Sequence, residues 1–144
     1  MLLLATELAV IGLSLKVATV AVLASLPFGI AMGWLLARKR FPGKALLDAL
    51  VHLPLVLPPV VIGYMLLVGF GNQGVFGKAF AAVGIEFAFR WTGAALACAL
   101  MGFPLLVRAI RLSIEATDRR LEQAAATLGA PPWRVFLGIT LPLA

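Results

Sequence analysis

Between Lys16 and Arg38 the chain runs for twenty-one residues, Val17 to Ala37, without a charged side chain. At 1.5 Å per residue, a helix of that length covers about 30 Å, the thickness of a bilayer's hydrocarbon core. Backbone amides in hydrocarbon have no water to bond, so such a run must be helical. Composition extends the point to the whole chain: 62% of its 144 residues are hydrophobic and 12% charged, against about a quarter charged in soluble domains. The sequence is therefore read as an all-α polytopic membrane protein. The apolar lead Leu8 to Leu15 extends the first helix outward, giving a span over about 8–37 and leaving Lys16 to snorkel at one interface. Gly29 and Gly33, four apart, permit close approach by another helix.

Arg38, Lys39, Arg40 and Lys44 surround the turn Phe41-Pro42-Gly43 and mark a cytoplasmic loop. A second span follows over about 45–70, but it contains Pro54, Pro58 and Pro59. Each proline removes an amide donor and clashes with the preceding turn, freeing carbonyls near Leu50, Pro54 and Leu55. Backbone of that kind must face protein or a water-filled path. His52, Pro54, Pro58, Pro59 and Tyr64 are therefore candidates for lining a translocation route, with a packing kink as the alternative. Gly71 to Arg90 reads as an outer loop. Its aromatics Phe76, Phe80, Phe87 and Phe89 suit the headgroup zone, and Lys78, Glu86 and Arg90 leave it nearly neutral. Trp91 to Val107 supplies a third span, about 91–107, with Gly102 and Pro104 near its inner end. Nine cations fall on the two proposed inner loops and two, Lys78 and Arg90, on the outer one, which places the amino terminus outside.

Several functions are disfavoured by the same residues. The net charge of +6 reports orientation in a bilayer before it reports a nucleic acid partner. One histidine, one cysteine and six scattered acids give no metal-ligand spacing. Cys98, inside an apolar run, reads as a small buried hydrophobe. Met1 to Ile11 lacks the basic region of a signal peptide, so no cleavage is expected. Asp48 and His52 share a helix face and could form an acid–base pair, but no nucleophile completes a site.

The most informative polar-flanked stretch is Glu122 to Pro142, within a loop over about 117–142. Asp118 or Thr117 can cap a helix from Arg119 to Leu128, with Leu121, Ala124, Ala125 and Leu128 on one face. Gly129 ends it, and Pro131-Pro132 open a second short helix. The small side chains of Ala124, Ala125, Ala126 and Gly129 would let another protein approach closely, with Trp133 and Phe136 as larger anchors. A helix-turn-helix DNA reader shares part of this pattern, yet Trp133 to Leu141 is too apolar to read base edges.

This stretch resembles the coupling loop of bacterial ABC importer permeases, whose pattern is Glu-Ala-Ala, three residues, Gly, nine residues, Ile-x-Leu-Pro. With Gly129 on the family glycine, Ala124, Ala125, Ile139, Leu141 and Pro142 match without a gap. Gln123 stands where the family most often has glutamate, with Glu122 adjacent. The run Pro58-Pro59-Val60-Val61-x-Gly63-Tyr64, after His52-Leu53-Pro54, is similar to the molybdate permease subunits of that family, with sulfate and tungstate permeases as near relatives.

The resemblance implies an inner-membrane permease of five or six spans, of which three and the coupling loop lie in residues 1–144, and a further half beyond. It implies a homodimer, an ABC ATPase docked at Glu122, Gln123, Ala124, Ala125, Leu128, Gly129, Ala130 and Trp133, and an external molybdate-binding protein. ATP would be bound by that partner and no cofactor by this chain, since no Walker-type phosphate loop occurs. A structural subunit without a path, or an intramembrane enzyme, are the readings from other classes.

Overall fold

The computed structural model describes every residue except Met1, Asn72, Gln73, Val83, Ile85, Glu86, Ala88 and Ala144. The charge expected of Glu86 in the outer loop thus lies outside the described residues. Helix α1 runs from Leu2 to Arg38, carrying Pro27 inside it, and α5 from Trp91 to Ala116, carrying Pro104. Both are long and apolar enough to cross a membrane. The third span, expected to end at Val107, continues as helix past Arg108 to Ala116. Once the residues leave hydrocarbon, nothing in Arg108 to Ala116 stops a helix, as the stretch contains neither Gly nor Pro.

These two helices pack together along their length, and their register shows that they are parallel. The Lys16 ammonium lies 4.1 Å over the Trp91 ring. Further along, Gly29 faces Leu106 and Gly33 faces Ile110, and at the far end Arg38 reaches the Thr117 carbonyl. Both glycines are buried in this seam. A Cβ on Gly33 would sit 2.8 Å from Ile110 Cγ2, and one on Gly29 2.7 Å from Leu106 Cδ2, so close approach is the use made of them. A small core of Leu36, Val51 and Val107, flanked by Met32, Leu47 and Phe103, joins α1, α5 and the start of the intervening segment.

Two parallel helices require the chain between them to return across the same thickness. That return is made by α2, Lys44–Val56, and α3, Pro59–Phe70, which together are apolar enough for a span but meet at 105°. The break is not at Pro54, which stays within α2, but at Leu57-Pro58. A lone proline forfeits one helical bond, whereas Pro58-Pro59 removes two successive donors and forces each preceding residue out of the helical region. Accordingly Leu57 has ψ 139° and Pro58 ψ 138°.

The outer segment departs from the expected loop. Val75–Ala81 forms a short helix, α4, and three of the segment's four aromatics gather on Phe70. Phe76 stacks on it at 5.3 Å and Phe87 meets it edge-on at 5.4 Å, while Phe80 lies 6.1 Å from Phe70 and edge-on to Phe87 at 5.3 Å. Only Phe89 is left out of this cluster, 97% exposed on a backbone with φ 55°. Cys98 also differs from expectation, because the α5 face that carries it is exposed in the chain as it stands.

Candidate docking and transmission site

After α5 the chain turns at Thr117 and Asp118. The Asp118 carboxylate accepts from the Arg120 amide at 2.9 Å and caps α6, Arg119–Thr127, satisfying one of the donors a helix start leaves open. The helix closes as its sequence predicts. Gly129 takes φ 84°, its amide donates to the Ala126 carbonyl at 3.0 Å, and the Ala130 amide donates to Ala125 at 3.1 Å. These two bonds form a Schellman motif. Pro131 caps α7, Pro132–Val135, which continues through a π-helical turn, Phe136–Thr140, into α8, Leu141–Leu143.

The orientation of α6 inverts the usual amphipathic arrangement. Its acid points in and its apolar stripe points out: none of its residues is buried, Leu121 is 49% exposed and the following Leu128 89%. Ala124, Gly129 and Trp133 are exposed beside them, and Ala125 is half-buried. Gln123 and Ala130 line a recess between α6 and the end of α1, with Arg38, Lys39 and Arg119. Of the expected docking residues, Ala124, Leu128, Gly129 and Trp133 are exposed on the outward side with Ala125 half-buried beside them, whereas Gln123 and Ala130 border the recess that Glu122 also lines.

Glu122 is instead the centre of a buried junction. Arg38 Nη2 donates to Glu122 Oε1 at 2.7 Å, and the hydroxyl of Thr140 donates to the same oxygen at 2.7 Å. Arg38 Nη2 also approaches the Thr117 carbonyl at 3.4 Å. The side chains of Arg38 and Glu122 are 10% and 18% exposed, and Thr117 and Thr140 are buried. A π-helical turn widens the helix by one residue, and here Thr140 closes that turn, with the Leu141 amide bonded to Phe136. Sequence reasoning missed Arg38 and Thr140 for this junction and gave Thr117 only as an alternative cap to Asp118. Arg38 looked like one of several topology charges, and Thr140 occupies the free position of Ile139-Thr140-Leu141-Pro142.

The path candidates do not converge in the same way. His52 Nδ1 lies 2.8 Å from the Asp48 carbonyl oxygen and 3.4 Å from Asp48 Oδ1. Arg111 Nη1 donates to Asp48 Oδ2 at 3.2 Å, while its Nε donates to Glu115 Oε1 at 2.8 Å. The Asp48–His52 pair is thereby part of a charge network tying α2 to α5, which Arg111 and Glu115 complete. Tyr64, on α3 beyond the bend, is 68% exposed, Pro58 and Pro59 are exposed, and Pro54 is half-buried.

Two parallel helices of membrane length, a bent return segment and a polar end loop with its apolar side outward define a polytopic helical membrane protein. Residues 25–144 match the family described as binding-protein-dependent transport system inner membrane component, and the chain belongs to that family. It is 64% identical to the molybdenum transport system permease protein ModB of Escherichia coli (strain K12) over 132 residues, 91% of this chain and 58% of that protein. The corresponding protein of Haemophilus influenzae is 58% identical over 138 residues, 95% of this chain and 60% of that one. The sulfate transport system permease protein CysT of Escherichia coli (strain K12) is 41% identical over 115 residues, 80% of this chain and 42% of that one. The chain thus spans 58–60% of the length of the molybdenum permeases it matches.

Proposed function

We propose that this chain forms part of the membrane-embedded permease of an ATP-driven importer that carries molybdate into the cytoplasm. The observation that carries this reading is the outward apolar face of α6, with Leu121, Ala124 and Leu128 beside Gly129 and Trp133, at the end of the molecule where the cations gather. An amphipathic helix that leaves this side uncovered suits a cleft on another subunit, and that subunit is the ATPase. It binds and hydrolyses ATP, while the permease itself performs no catalysis. Ala124, Ala125, Leu128, Gly129 and Trp133 form the docking face, Gln123 and Ala130 flank it at the recess beside α1, and Glu122 lies behind it.

Two copies pair around the path, and a molybdate-binding protein delivers the anion on the other side of the membrane. The amino terminus is outside and the α6 loop cytoplasmic, in keeping with the gathering of Arg38, Lys39, Arg40 and Lys44 near Arg108, Arg111, Arg119, Arg120 and Arg134. Freed backbone at the Leu57-Pro58 bend, with His52, Pro54, Pro59 and Tyr64 on either side, contributes to the wall of that path. Closure of the ATPase pair moves α6, and the helices follow as rigid bodies between two states. Molybdate is favoured over sulfate because the similarity to molybdenum permeases exceeds that to CysT, at 64% against 41% identity.

The test is uptake of labelled molybdate and, in parallel, labelled sulfate by cells lacking the intact gene and by cells with it restored. Molybdate uptake should be lost and rescued. Loss of sulfate uptake alone would move the substrate to sulfate, and no change in either would refute the transport reading.

A further inference from the structure

Four segments meet at one carboxylate oxygen and the guanidinium that faces it. Glu122 of α6 accepts from Arg38 at the end of α1 and from Thr140 in the π-helical turn, and Arg38 also reaches Thr117 at the end of α5. The partners of Glu122 lie 84 and 18 positions away in sequence, so chain connectivity supplies none of this. Arg38 Nε is buried without a partner, which leaves Glu122 as the one carboxylate paired with this guanidinium among the described ion pairs. A hydrogen-bonded charge pair of this burial is held in fixed geometry. By contrast, the side of α6 away from it is bare.

We infer that the Arg38–Glu122–Thr140 junction transmits the movement of α6 to α1 and to the helix after the loop, Glu122 being a positioning residue whose role is mechanical. This rests on the proposed importer function. The covalent connections alone lead from α6 into α5 through Thr117 and into α7 through Gly129, a glycine in a left-handed turn. Both reach α1 indirectly, α5 through the packed seam and the π-helical turn through Phe136, which meets Trp34 edge-on at 6.0 Å, whereas Arg38 ties α1 to α6 itself. A load applied to the outward face of α6 passes straight through the helix to the carboxylate on its opposite side. Without the pair, movement of α6 would reach α1 only by way of the α5 seam and the Trp34–Phe136 contact, and the coupling would weaken.

The experiment uses the full-length permease purified with its ATPase and reconstituted in proteoliposomes, with molybdate presented by its binding protein. Two quantities are read: ATPase copurification, and molybdate taken up per ATP hydrolysed. Glu122→Gln keeps the shape and hydrogen bonding of the side chain but removes its charge. It should leave copurification intact and lower uptake per ATP about tenfold, the scale of a typical coupling between sites. The exchange Arg38→Glu with Glu122→Arg should recover much of the ratio that either single change loses. Thr140→Val, which preserves the ion pair, should give a smaller loss of the same kind and serves if Glu122→Gln fails to assemble. An unchanged ratio in Glu122→Gln, or in Thr140→Val where that variant is needed, would overturn the inference, as would an exchange no better than the single variants. Failure of the unsubstituted complex to copurify or to take up molybdate would refute the importer reading itself.

Discussion

Replacing Gly33 by alanine tests the seam that organises the membrane part. The added methyl carbon would stand 2.8 Å and 3.1 Å from Ile110 Cγ2 and Cβ and 3.3 Å from the Arg111 amide nitrogen, where carbon contacts are comfortable at about 3.5–4.0 Å. Ile110 is stiff at χ1 and its Cβ moves only with the backbone, so α5 must yield by several tenths of an ångström. Overpacking of this kind costs about 3 kcal/mol at its upper end, and alanine returns about 1 kcal/mol of helix propensity. The net loss is about 2 kcal/mol, or roughly thirtyfold in the folding equilibrium. At Gly29 the clash is with Leu106 Cδ2, the free end of a flexible side chain, so a cost of about 1 kcal/mol cancels the propensity gain. Gly102 has nothing within 4 Å and serves as the control. Unfolding midpoints of the three alanine variants, measured by denaturant titration of the purified full-length protein in detergent, should rank Gly102 and Gly29 well above Gly33. A Gly33→Ala midpoint equal to that of Gly102→Ala would mean that α1 and α5 do not meet at this register.

Two other changes probe the α6 end. Gly129→Asp places a side chain at φ 84° and a charge on the apolar face, and it should abolish ATPase copurification while membrane insertion persists. Asp118→Ala removes the cap on Arg120 and about 1 kcal/mol of helix stability, so amide exchange across α6 should quicken about fivefold with α1 and α5 unaffected.

Much of this architecture could be read from the sequence because it is local. Val17 to Ala37 and Trp91 to Val107 are marked by their lack of charge, and the Asp118 cap and the Gly129 turn follow from what those two side chains allow a backbone to do. The break in the second span was legible in kind but not in place, since three prolines offered three sites and only the Pro58-Pro59 pair disables two donors in succession. The α4 helix was hidden because Gly71, Gly74 and Gly77 read as loop residues, and the aromatic cluster that orders the segment draws on Phe70 from α3. Least legible was the Arg38–Glu122–Thr140 junction. Its members lie in three segments that only the parallel packing of α1 on α5 brings to one point, and the adjacent glutamate of a docking pattern looked outward when it faces in.

The two ends of the α1–α5 seam also fix how this protein sits in lipid. Lys16, held over Trp91, and Arg38, held by Glu122, are twenty-two residues apart, about 33 Å along a helix. A hydrocarbon core of about 30 Å accommodates that length with a lean of about 25°, close to the average for membrane helices. Both anchoring charges seek the interface, so α1 acts as a ruler between the two bilayer faces: thicker lipid draws it upright and thinner lipid lays it over. Because the charge at one end is the Arg38 that pairs with Glu122, a change in the tilt of α1 would bear on α6 through that pair.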